Sequence, residues 1–323
     1  MQATARAHPN IALVKYWGKR DTRLNLPAVG SISITLDTLH TTTEVKFDAE
    51  LTGDSVLLND KVNVAEAERV IACVDLLREI AGVQTCVEVR SSNNFPTGAG
   101  LASSASGFAA LVTAVDAALN LKLSKAKLSE LARRGSGSAA RSIFGGFVEM
   151  RLGVESDGSD CVAGPLLDAS DWPLAVTVGV VSHAAKDVGS TEGMELTRET
   201  SPCYPAWVAE AETDLGIARD AVQEKNFEKL ADISEHSCLK MHALAMSAQP
   251  GLMYWYGPTV EGIHRVRQLR RAGHAVFFTI DAGPQIKVVS LPDEVDTVTD
   301  ALNDIGGIRD ILRTGLGSGA SCD

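Results

Sequence analysis

A run of small and hydroxyl-bearing residues between Asn93 and Gly107 is the part of the sequence best suited to hold phosphate. It reads NNFPTGAGLASSASG and stands where an apolar helix is predicted to begin. Glycines let the backbone approach a ligand closely, and the first N–H groups of a helix have no intrahelical partners. Ser103, Ser104 and Ser106 add oxygens that can meet phosphate or a metal ion. No GxxxxGK[ST] motif occurs in the chain, and a capped core helix with small residues for tight packing stays open as the alternative.

Cations and a tyrosine cluster near the N-terminus, at the end of an apolar stretch. The segment Asn10–Arg20 reads NIALVKYWGKR and contains Lys15, Tyr16 and Lys19. In an acidic chain this clustering suits a multiply charged phosphate ester, with lysine as a point charge and tyrosine as a positioning hydroxyl. A solvated strand end, whose lysines extend into water, fits the same charges equally well.

Two glycine-containing loops offer further anion donors. The first, RRGSGSAARS, ends with Arg141, whose guanidinium can bind a phosphate with two parallel hydrogen bonds. The second, HAAKDVGST, contains Lys186 and Ser190 and follows a continuous apolar strand. A plain interdomain linker is the alternative for the second loop.

A carboxylate stands at the end of another apolar strand. Residues 279–284 read TIDAGP, and the Gly-Pro turn after Asp281 would fix its side chain at the end of the sheet. Asp281 is therefore a candidate general base or charge stabiliser. An Asx residue that merely caps the turn is the alternative.

The elements that must position these residues alternate irregularly between strands and helices. Hydrophobic spacing and turn residues predict strands over 4–16, 31–36, 41–47, 55–58, 85–90, 143–151, 174–182, 274–280, 286–290 and 307–313. They predict helices over 64–81, 100–121, 125–134, 206–224, 227–246, 259–272 and 294–304. Without regular βαβ alternation, this order predicts an α+β fold with antiparallel sheets. The long amphipathic helices after residue 183 predict two domains, 1–182 and 183–323.

Composition narrows the class of protein. The 323 residues are 45% hydrophobic and 22% charged, as in an ordinary globular protein with a packed core. The formal net charge of −11 disfavours nucleic acid and anionic membranes as partners. The six cysteines lack metal-ligand spacing, and Met1 to Asn10 lacks the apolar core of a signal peptide. We therefore expect reduced thiols and a cytoplasmic location.

Taken together, the motifs resemble the mevalonate diphosphate decarboxylases, a family within the superfamily of galactose, homoserine, mevalonate and phosphomevalonate kinases (GHMP kinases). The resemblance spans nearly the whole chain. It is carried, in the family's order, by NIALVKYWGKR, NNFPTGAGLASSASG, GSGSAARS with the following GGF, GSTEGM and TIDAGP. The order of these motifs makes the resemblance far more specific than any one of them.

The resemblance implies a two-domain GHMP-kinase fold with mixed or antiparallel sheets and an active site in the interdomain cleft. It also implies ATP-dependent conversion of mevalonate 5-diphosphate to isopentenyl diphosphate, ADP, phosphate and CO₂, with Mg²⁺ as the metal, through phosphorylation of the 3-hydroxyl. A homodimer is the assembly that the resemblance implies.

The resemblance also assigns roles to individual positions. It makes Asp281, Lys19 and Asn10 catalytic, with Asp281 facing the 3-hydroxyl and Lys19 keeping that carboxylate ionised. The substrate's diphosphate and carboxylate would be held by Tyr16, Lys19, Ser136, Gly137, Arg141 and Ser190. The ATP phosphates would be held by Asn93, Pro96, Gly98, Gly100, Leu101, Ala102, Ser103, Ser104, Ser106 and Lys186. Ser104 and Ser106 would also lie near Mg²⁺.

Three other functions stay open at this point. A phosphomevalonate decarboxylase would take mevalonate 5-phosphate, because the same cations can bind a single phosphate group. A mevalonate 3-kinase would stop after phosphorylation. A nucleotide-binding regulator without catalytic activity belongs to a different class, and the presence of Asp281, Lys19 and Arg141 argues against it.

Overall fold

The structure, a computed structural model, describes residues 1–95, 102–184 and 186–322. Its strands are β1 (Gln2–Ala7), β2 (Asn10–Val14), β3 (Lys19–Asp21), β4 (Leu26–Pro27), β5 (Ser31–Thr35), β6 (Thr41–Phe47), β7 (Ser55–Leu58), β8 (Val87–Asn93), β9 (Phe147–Met150), β10 (Ala163–Leu167), β11 (Ala175–Val180), β12 (Val276–Thr279), β13 (Ile286–Ser290), β14 (Asp310–Gly315) and β15 (Ser321–Cys322). Its helices are α1 (Val64–Ala81), α2 (Ser103–Ala118), α3 (Lys125–Gly135), α4 (Ala139–Ser142), α5 (Ser190–Thr200), α6 (Tyr204–Gln223), α7 (Phe227–Met246), α8 (Gly257–Arg271) and α9 (Val295–Asn303).

The N-terminal half is built on a sheet with the strand order β15-β1-β6-β8-β7, in which only the β7–β8 pair is parallel. Alternate residues of β6 are buried, so one face of the sheet packs against helices while the other meets solvent. Apolar residues of α1 and α2 complete this core. The helix behind the serine-rich segment is therefore anchored in the N-terminal core.

The described residues also form two four-stranded antiparallel sheets and the short β3–β4 pair. The four-stranded sheets pack on the long C-terminal helices. Their orders are β10-β9-β5-β2 and β12-β13-β11-β14, and the residues of β2, β5, β9, β11, β12 and β13 are buried throughout. A shared core joins both sheets to α6 and α7, and it includes Phe147, Leu215, Ala218 and Phe277. The mixed, largely antiparallel architecture confirms the predicted α+β class.

Local signals explain where the helices begin and end. The side chain of Asn63 accepts a hydrogen bond from the Glu66 amide and caps α1. The same helix ends at Gly82, which has φ of 67°, a left-handed conformation that glycine adopts without strain. Ser124 caps α3 in the same way as Asn63 caps α1.

Several predicted elements have the same bounds in the structure. Helices α1 and α7 and strands β6, β7 and β13 have the predicted bounds. The single strand predicted over 4–16 is wrong, because the chain leaves the β conformation at His8 and Pro9, and proline has no N–H for a sheet ladder. Helix α5 was not predicted; the loop expected there ends in the first turn of this helix.

Strand β11 lies before residue 183 but belongs to the same sheet as the C-terminal strands β12, β13 and β14. Strand β11 pairs with β13 and β14, and β15 returns to pair with β1 at the other end of the fold. The division into domains 1–182 and 183–323 stays a prediction. Within the described residues, no helix is long and apolar enough to cross a membrane.

Candidate active site

A cavity of about 930 Å³ lies between the two halves of the fold. It is bordered by the ends of β2 and β12, the first turns of α2 and α5, one face of α1 and the turn between α3 and α4. Of the predicted site residues, it brings together Asn10, Tyr16, Lys19, Ala102, Ser103, Ser104, Ser136, Gly137, Arg141, Lys186, Ser190 and Asp281. The predicted cleft is therefore present, and most of the predicted residues line it.

Asp281 lies between two buried lysines. Nζ of Lys15 is 2.6 Å from one carboxylate oxygen, and Nζ of Lys287 is 3.1 Å from the other. Both lysine side chains are 1% exposed, whereas the Asp281 side chain is 25% exposed and lines the cavity. The lysines therefore form the support, and the carboxylate is the group that a ligand meets.

The ion-pair partner of Asp281 differs from the prediction. The resemblance placed Lys19 beside this carboxylate, but the structure places Lys15 there. Two hydrogen bonds hold Lys15 in place. Its backbone N–H donates to Ser237 Oγ at 3.0 Å, and its Nζ donates to the Ala12 carbonyl at 2.9 Å. These contacts fix the ammonium at the irregular end of β2, where it reaches Asp281.

The two lysines determine the charge of Asp281. Burial alone would raise the pKa of this carboxyl, but Lys15 and then Lys287 outweigh burial and hold the pKa well below its usual range. Burial lowers the pKa of Lys287, while Asp281 opposes that change. At neutral pH the site therefore presents an ionised carboxylate between ammonium groups, and such a carboxylate is a weak base.

Arg141 is a buried cation whose hydrogen-bond partners are neutral. Its Nη1 donates to Ser31 Oγ at 2.6 Å, and its Nε donates to Ser33 Oγ at 3.0 Å. The Asn10 amide oxygen accepts from Nε at 3.3 Å and from Nη2 at 3.2 Å. Burial lowers the pKa of Arg141 to about 10. The guanidinium, 2% exposed at the cavity wall, thus carries a charge suited to an incoming anion.

Asn10 orients Arg141. Its amide nitrogen donates to the Ser138 carbonyl at 3.0 Å and to Ser142 Oγ at 2.8 Å, which leaves the amide oxygen for the guanidinium. Asn10 lines the cavity but is 3% exposed. Its position therefore fits a supporting role toward the anion site.

Tyr16 and Gly137 meet at close range on the same wall. A Cβ added at Gly137 would collide with the Tyr16 hydroxyl, so glycine is needed for the approach. That hydroxyl is buried and has no hydrogen-bond partner among the described residues. Burial raises the pKa of Tyr16 well above its usual range, so the hydroxyl stays protonated and can donate.

Lys186 reaches the cavity from the opposite side. Its Nζ donates to Ser190 Oγ at 2.7 Å and to the Ala282 carbonyl at 3.0 Å. Burial lowers the pKa of Lys186 to about 8, although Asp281 opposes that change. Ser190 is the first residue of α5, so the unpaired N–H groups of that helix lie beside the ammonium. Together these groups form a second anion-binding region.

The start of α2 supplies hydroxyls and an unusual backbone. Ala102 has φ of 57°, a left-handed conformation that costs energy for a residue with a Cβ. Ser103 and Ser104 follow it in the cavity wall, and Ser104 Oγ forms a hydrogen bond of 3.2 Å with Ser136 Oγ, also in that wall. Strained backbone and serine hydroxyls at a helix N-terminus fit a phosphate-binding segment.

Two predicted nucleotide-binding residues do not line the cavity. Ser106 is 0% exposed, and its hydroxyl pairs with Thr41 Oγ1 at 2.6 Å inside the N-terminal core. The Asn93 side chain accepts from the same threonine hydroxyl at 2.6 Å. Four further predicted residues lie outside the described residues: Pro96, Gly98, Gly100 and Leu101. The structure therefore leaves Ser104, and not Ser106, as the predicted metal-binding serine that faces the cavity.

Lys19 also lines the cavity, away from Asp281. Its side chain is 9% exposed, and no hydrogen bond or ion pair joins it to any other described residue. Burial lowers its pKa, Glu195 acts in the opposite direction, and Arg69 adds to the lowering. Unlike Arg141 and Lys186, Lys19 thus has no direct polar partner among the described residues, and the charge of Arg69 on α1 acts on it.

The sequence analysis missed Lys287 and grouped Lys15 with the phosphate-binding cations, without pairing it with Asp281. Lys287 stands inside the buried strand β13, between apolar residues. A lysine in an apolar run requires a buried counter-charge, and that signal was present in the sequence. The sequence does not show which residue supplies that counter-charge. Asp281 and Lys15 likewise come together only in the folded chain.

Two domain families match nearly the whole chain. The diphosphomevalonate decarboxylase-like N-terminal domain matches residues 7–163. The mevalonate 5-diphosphate decarboxylase C-terminal domain matches residues 176–314.

Relatives and solved structures agree with these matches. A diphosphomevalonate decarboxylase of Aspergillus fumigatus is 37% identical over 95% of this chain and 81% of its own length. The human diphosphomevalonate decarboxylase is 37% identical over 90% of this chain and 77% of its own length. The structure of mevalonate diphosphate decarboxylase from Staphylococcus aureus has a TM-score of 0.93 and 38% identity, covering 100% of this chain and 98% of that one. A complex of the protein called MDDEF with MVAPP, AMPPCP and magnesium has a TM-score of 0.93 and 39% identity, covering 100% of this chain and 99% of that one.

Proposed function

The chain belongs to the diphosphomevalonate decarboxylase family, and from that premise we propose that it catalyses the ATP-dependent decarboxylation of mevalonate 5-diphosphate. The products are isopentenyl diphosphate, ADP, phosphate and CO₂, and Mg²⁺ accompanies the nucleotide. One observation carries the proposal: an ionised Asp281, held by Lys15 and Lys287, faces a cavity in which lysines and arginines outnumber carboxylates by seven to three.

The substrate's two anionic ends find separate partners in this proposal. Arg141, oriented by Asn10, binds one anionic group with its planar guanidinium. The diphosphate and carboxylate oxygens accept hydrogen bonds from Tyr16, Lys19 and Ser190. They also accept from the backbone and hydroxyl groups of the turn at Ser136 and Gly137. This assignment is supported because these donors line one cavity, and because no residue within 1–95, 102–184 and 186–322 forms a hydrogen bond with the Tyr16 hydroxyl.

The nucleotide phosphates occupy the region between α2 and α5. Ala102, Ser103 and Ser104 supply backbone N–H groups and hydroxyls, and Lys186 supplies the cation. Mg²⁺ prefers oxygen ligands and keeps most of its contacts to phosphate and water, so the Ser104 hydroxyl fits it. When bound, the ion neutralises charge on the transferring phosphoryl group.

Asp281 acts first on the 3-hydroxyl. It accepts a hydrogen bond from this tertiary alcohol and aligns it with the γ-phosphate of ATP. The hydroxyl oxygen then bonds to the γ-phosphorus, the bond from that phosphorus to the ADP oxygen breaks, and the hydroxyl proton passes to an oxygen of the transferred phosphoryl group. Because Lys15 and Lys287 hold the pKa of Asp281 low, the carboxylate orients the hydroxyl and stabilises charge more effectively than it removes a proton.

Elimination follows from the 3-phosphate. The C3–O bond breaks and its electron pair leaves with phosphate, so positive charge develops at C3 beside the Asp281 carboxylate. The bond between the carboxylate carbon and C2 then breaks, CO₂ departs, and its electron pair forms the new double bond. The carboxylate of Asp281 lies at the cavity surface, where it can meet the developing charge.

The decisive experiment measures ADP, phosphate and CO₂ with ATP and Mg²⁺ and compares mevalonate 5-diphosphate with mevalonate 5-phosphate. We expect equal amounts of the products and a strong preference for the diphosphate. Preference for the monophosphate would identify a phosphomevalonate decarboxylase instead. ADP without CO₂ would identify a mevalonate 3-kinase and contradict the eliminating role of Asp281.

Assembly and location form a finer part of the proposal. We also propose that the protein is a homodimer in the cytoplasm, without a nucleic-acid or membrane partner. This proposal is based on the family resemblance and on the formal net charge of −11. Light scattering coupled to size-exclusion chromatography tests the dimer directly: a mass of 34.1 kDa in solution would contradict it.

A further inference from the structure

Lys19 is a buried cation without a direct partner in the described residues. Its side chain is 9% exposed and lines the cavity. Removing an ammonium group from water is costly unless a counter-charge lies near it. A nearby carboxylate is therefore expected to offset the burial of Lys19 when the cavity holds no anion.

Helix α5 packs against the segment that leads to Lys19. A Cβ added at Gly193 of this helix would lie 3.3 Å from the Trp17 ring, and Met194 shares an apolar cluster with Trp17. Trp207 Nε1 donates to the Trp17 carbonyl at 2.9 Å and closes the contact from α6. Glu195, the next residue along, therefore belongs to the part of α5 that packs beside the segment leading to Lys19.

One of the carboxylate oxygens of Glu195 is buried without a partner. Oε2 accepts from Arg198 at 2.8 Å, whereas Oε1 accepts no hydrogen bond from the described residues. Arg198 is 42% exposed and also pairs with Glu199 at 3.1 Å, so solvent and sharing weaken its hold on Glu195. The Glu195 side chain is 26% exposed as a whole, but its Oε1 is enclosed by the protein on the side away from Arg198.

The charges around Lys19 come from two elements packed against it. Burial has the largest effect and lowers the pKa of Lys19. Glu195 on α5 favours the ammonium form, and Arg69 on α1 disfavours it. Glu195 is thus the acidic group that acts on Lys19 from α5, the helix whose first residue, Ser190, faces the same cavity.

We propose that Glu195 is a positioning residue, the resident counter-ion of Lys19, which balances this buried ammonium in the empty cavity and is replaced in that role by the substrate diphosphate. This inference rests on the proposed function, because Lys19 is assigned there to the diphosphate. Two consequences follow. Glu195 keeps Lys19 charged to higher pH, and it repels the bound diphosphate, which weakens binding at neutral pH.

The first test measures the ionisation of Lys19 without any ligand. Protein labelled with ¹³C-lysine is titrated by NMR, and the Lys19 signal is assigned from a Lys19→Arg spectrum. Glu195→Gln should lower the pKa of Lys19 by about 0.5 to 1. Glu199→Gln, which removes the other carboxylate on Arg198, and Glu195→Asp, which keeps the charge, should leave it near the native value. An unchanged pKa in Glu195→Gln, or equal changes in all three variants, would overturn the inference.

The second test measures binding of mevalonate 5-diphosphate by calorimetry without nucleotide, so that no turnover occurs. Glu195→Gln should bind about two- to fivefold more tightly at pH 7, and that advantage should shrink or reverse by pH 9.5, as Lys19 loses its proton earlier. Glu199→Gln should match the unchanged protein at both pH values. Weaker binding by Glu195→Gln at pH 7 would contradict the inference. No binding by the unchanged protein would instead contradict the proposed function, and the NMR titration would still decide the role of Glu195.

Discussion

Lys15 and Asp281 are 266 residues apart in the sequence, yet Nζ of one lies 2.6 Å from a carboxylate oxygen of the other. A second contact holds the same two strand ends together, because Thr279 Oγ1 donates to the Ala12 carbonyl at 3.0 Å. The ion pair therefore joins the N-terminal and C-terminal halves at the cavity. Substitutions at either residue should change both the chemistry and the way in which the site titrates.

Replacement of Asp281 by asparagine should remove most activity. The amide keeps the shape but cannot carry the negative charge that stabilises C3, so we expect kcat to fall by at least about 10²-fold. Product assays for ADP and CO₂ measure the loss, and binding of mevalonate 5-diphosphate shows that the site is intact. A variant that retains native kcat would contradict the assigned role.

Replacement of Lys15 by glutamine should introduce a new acid limb in the pH profile. Lys15 is the strongest of the charges that lower the pKa of Asp281, and burial opposes them. Without Lys15 the pKa rises, so the carboxylate becomes protonated as pH falls through a range where the native enzyme keeps it ionised. The profile of kcat/KM between pH 5 and 8 should fall at its acid end in Lys15→Gln alone. Lys46→Gln, at an exposed ion pair, is the control, and an identical profile in Lys15→Gln would refute this account.

Two buried arginines should respond differently to the same substitution. Arg141 is bonded to neutral groups at the cavity, whereas Arg133 donates to the Gly158 and Cys161 carbonyls at 2.8 and 2.7 Å. Arg141→Gln should raise KM for mevalonate 5-diphosphate by about 10- to 100-fold, since a charge-assisted contact is worth roughly 1.5–3 kcal/mol. Arg133→Gln should instead lower the free energy of unfolding by about 1–3 kcal/mol.

Steady-state kinetics and urea unfolding of both arginine variants separate these effects. A large loss of stability in Arg141→Gln with unchanged KM would show that this arginine serves the fold. The comparison is informative because both side chains are almost completely buried, so burial alone predicts the same outcome for the two.

The sequence predicts the separate parts of the site better than their pairing. The Asp-Ala-Gly-Pro turn indicates that Asp281 lies at a strand end, and the caps and periodicity predict α1 and α7 with their observed bounds. Which lysine reaches Asp281 depends on the irregular end of β2 and on the hydrogen bond from the Lys15 amide to Ser237, a residue of α7. Contacts of this kind leave no local pattern in the sequence.

One error could have been avoided from the sequence. In a helix, residues two apart point in nearly opposite directions, so Ser104 and Ser106 cannot both face a ligand at the start of α2. The structure places Ser104 at the cavity and Ser106 in the core. Helix α5 is a different case, because its apolar pattern is weak and its buried face of Gly193, Met194 and Thr197 is set by packing.

The two serines of α2 should therefore separate metal binding from stability. Ser104→Ala removes a hydroxyl from the cavity and should raise the Mg²⁺ concentration needed for half-maximal rate by several-fold. Ser106→Ala breaks the 2.6 Å hydrogen bond to Thr41 and should cost roughly 1 kcal/mol of stability with little change in the Mg²⁺ requirement. Titration of Mg²⁺ at fixed ATP, with thermal unfolding of both variants, distinguishes them. The opposite assignment of the two effects would show that Ser106 reaches the metal.

Lys186 should set an alkaline limit on the use of ATP. Burial lowers its pKa to about 8, so the ammonium is charged below that pH and neutral above it. Since the charged form binds polyphosphate, kcat/KM for ATP should fall by about tenfold for each pH unit above this value. Lys186→Arg keeps the positive charge at all these pH values, so the fall in kcat/KM should shift to higher pH. The planar guanidinium cannot reproduce both lysine contacts, to Ser190 and to Ala282. Profiles measured at saturating mevalonate 5-diphosphate isolate the nucleotide step. A fall at the same pH in the native enzyme and in Lys186→Arg would assign the alkaline limit to another group.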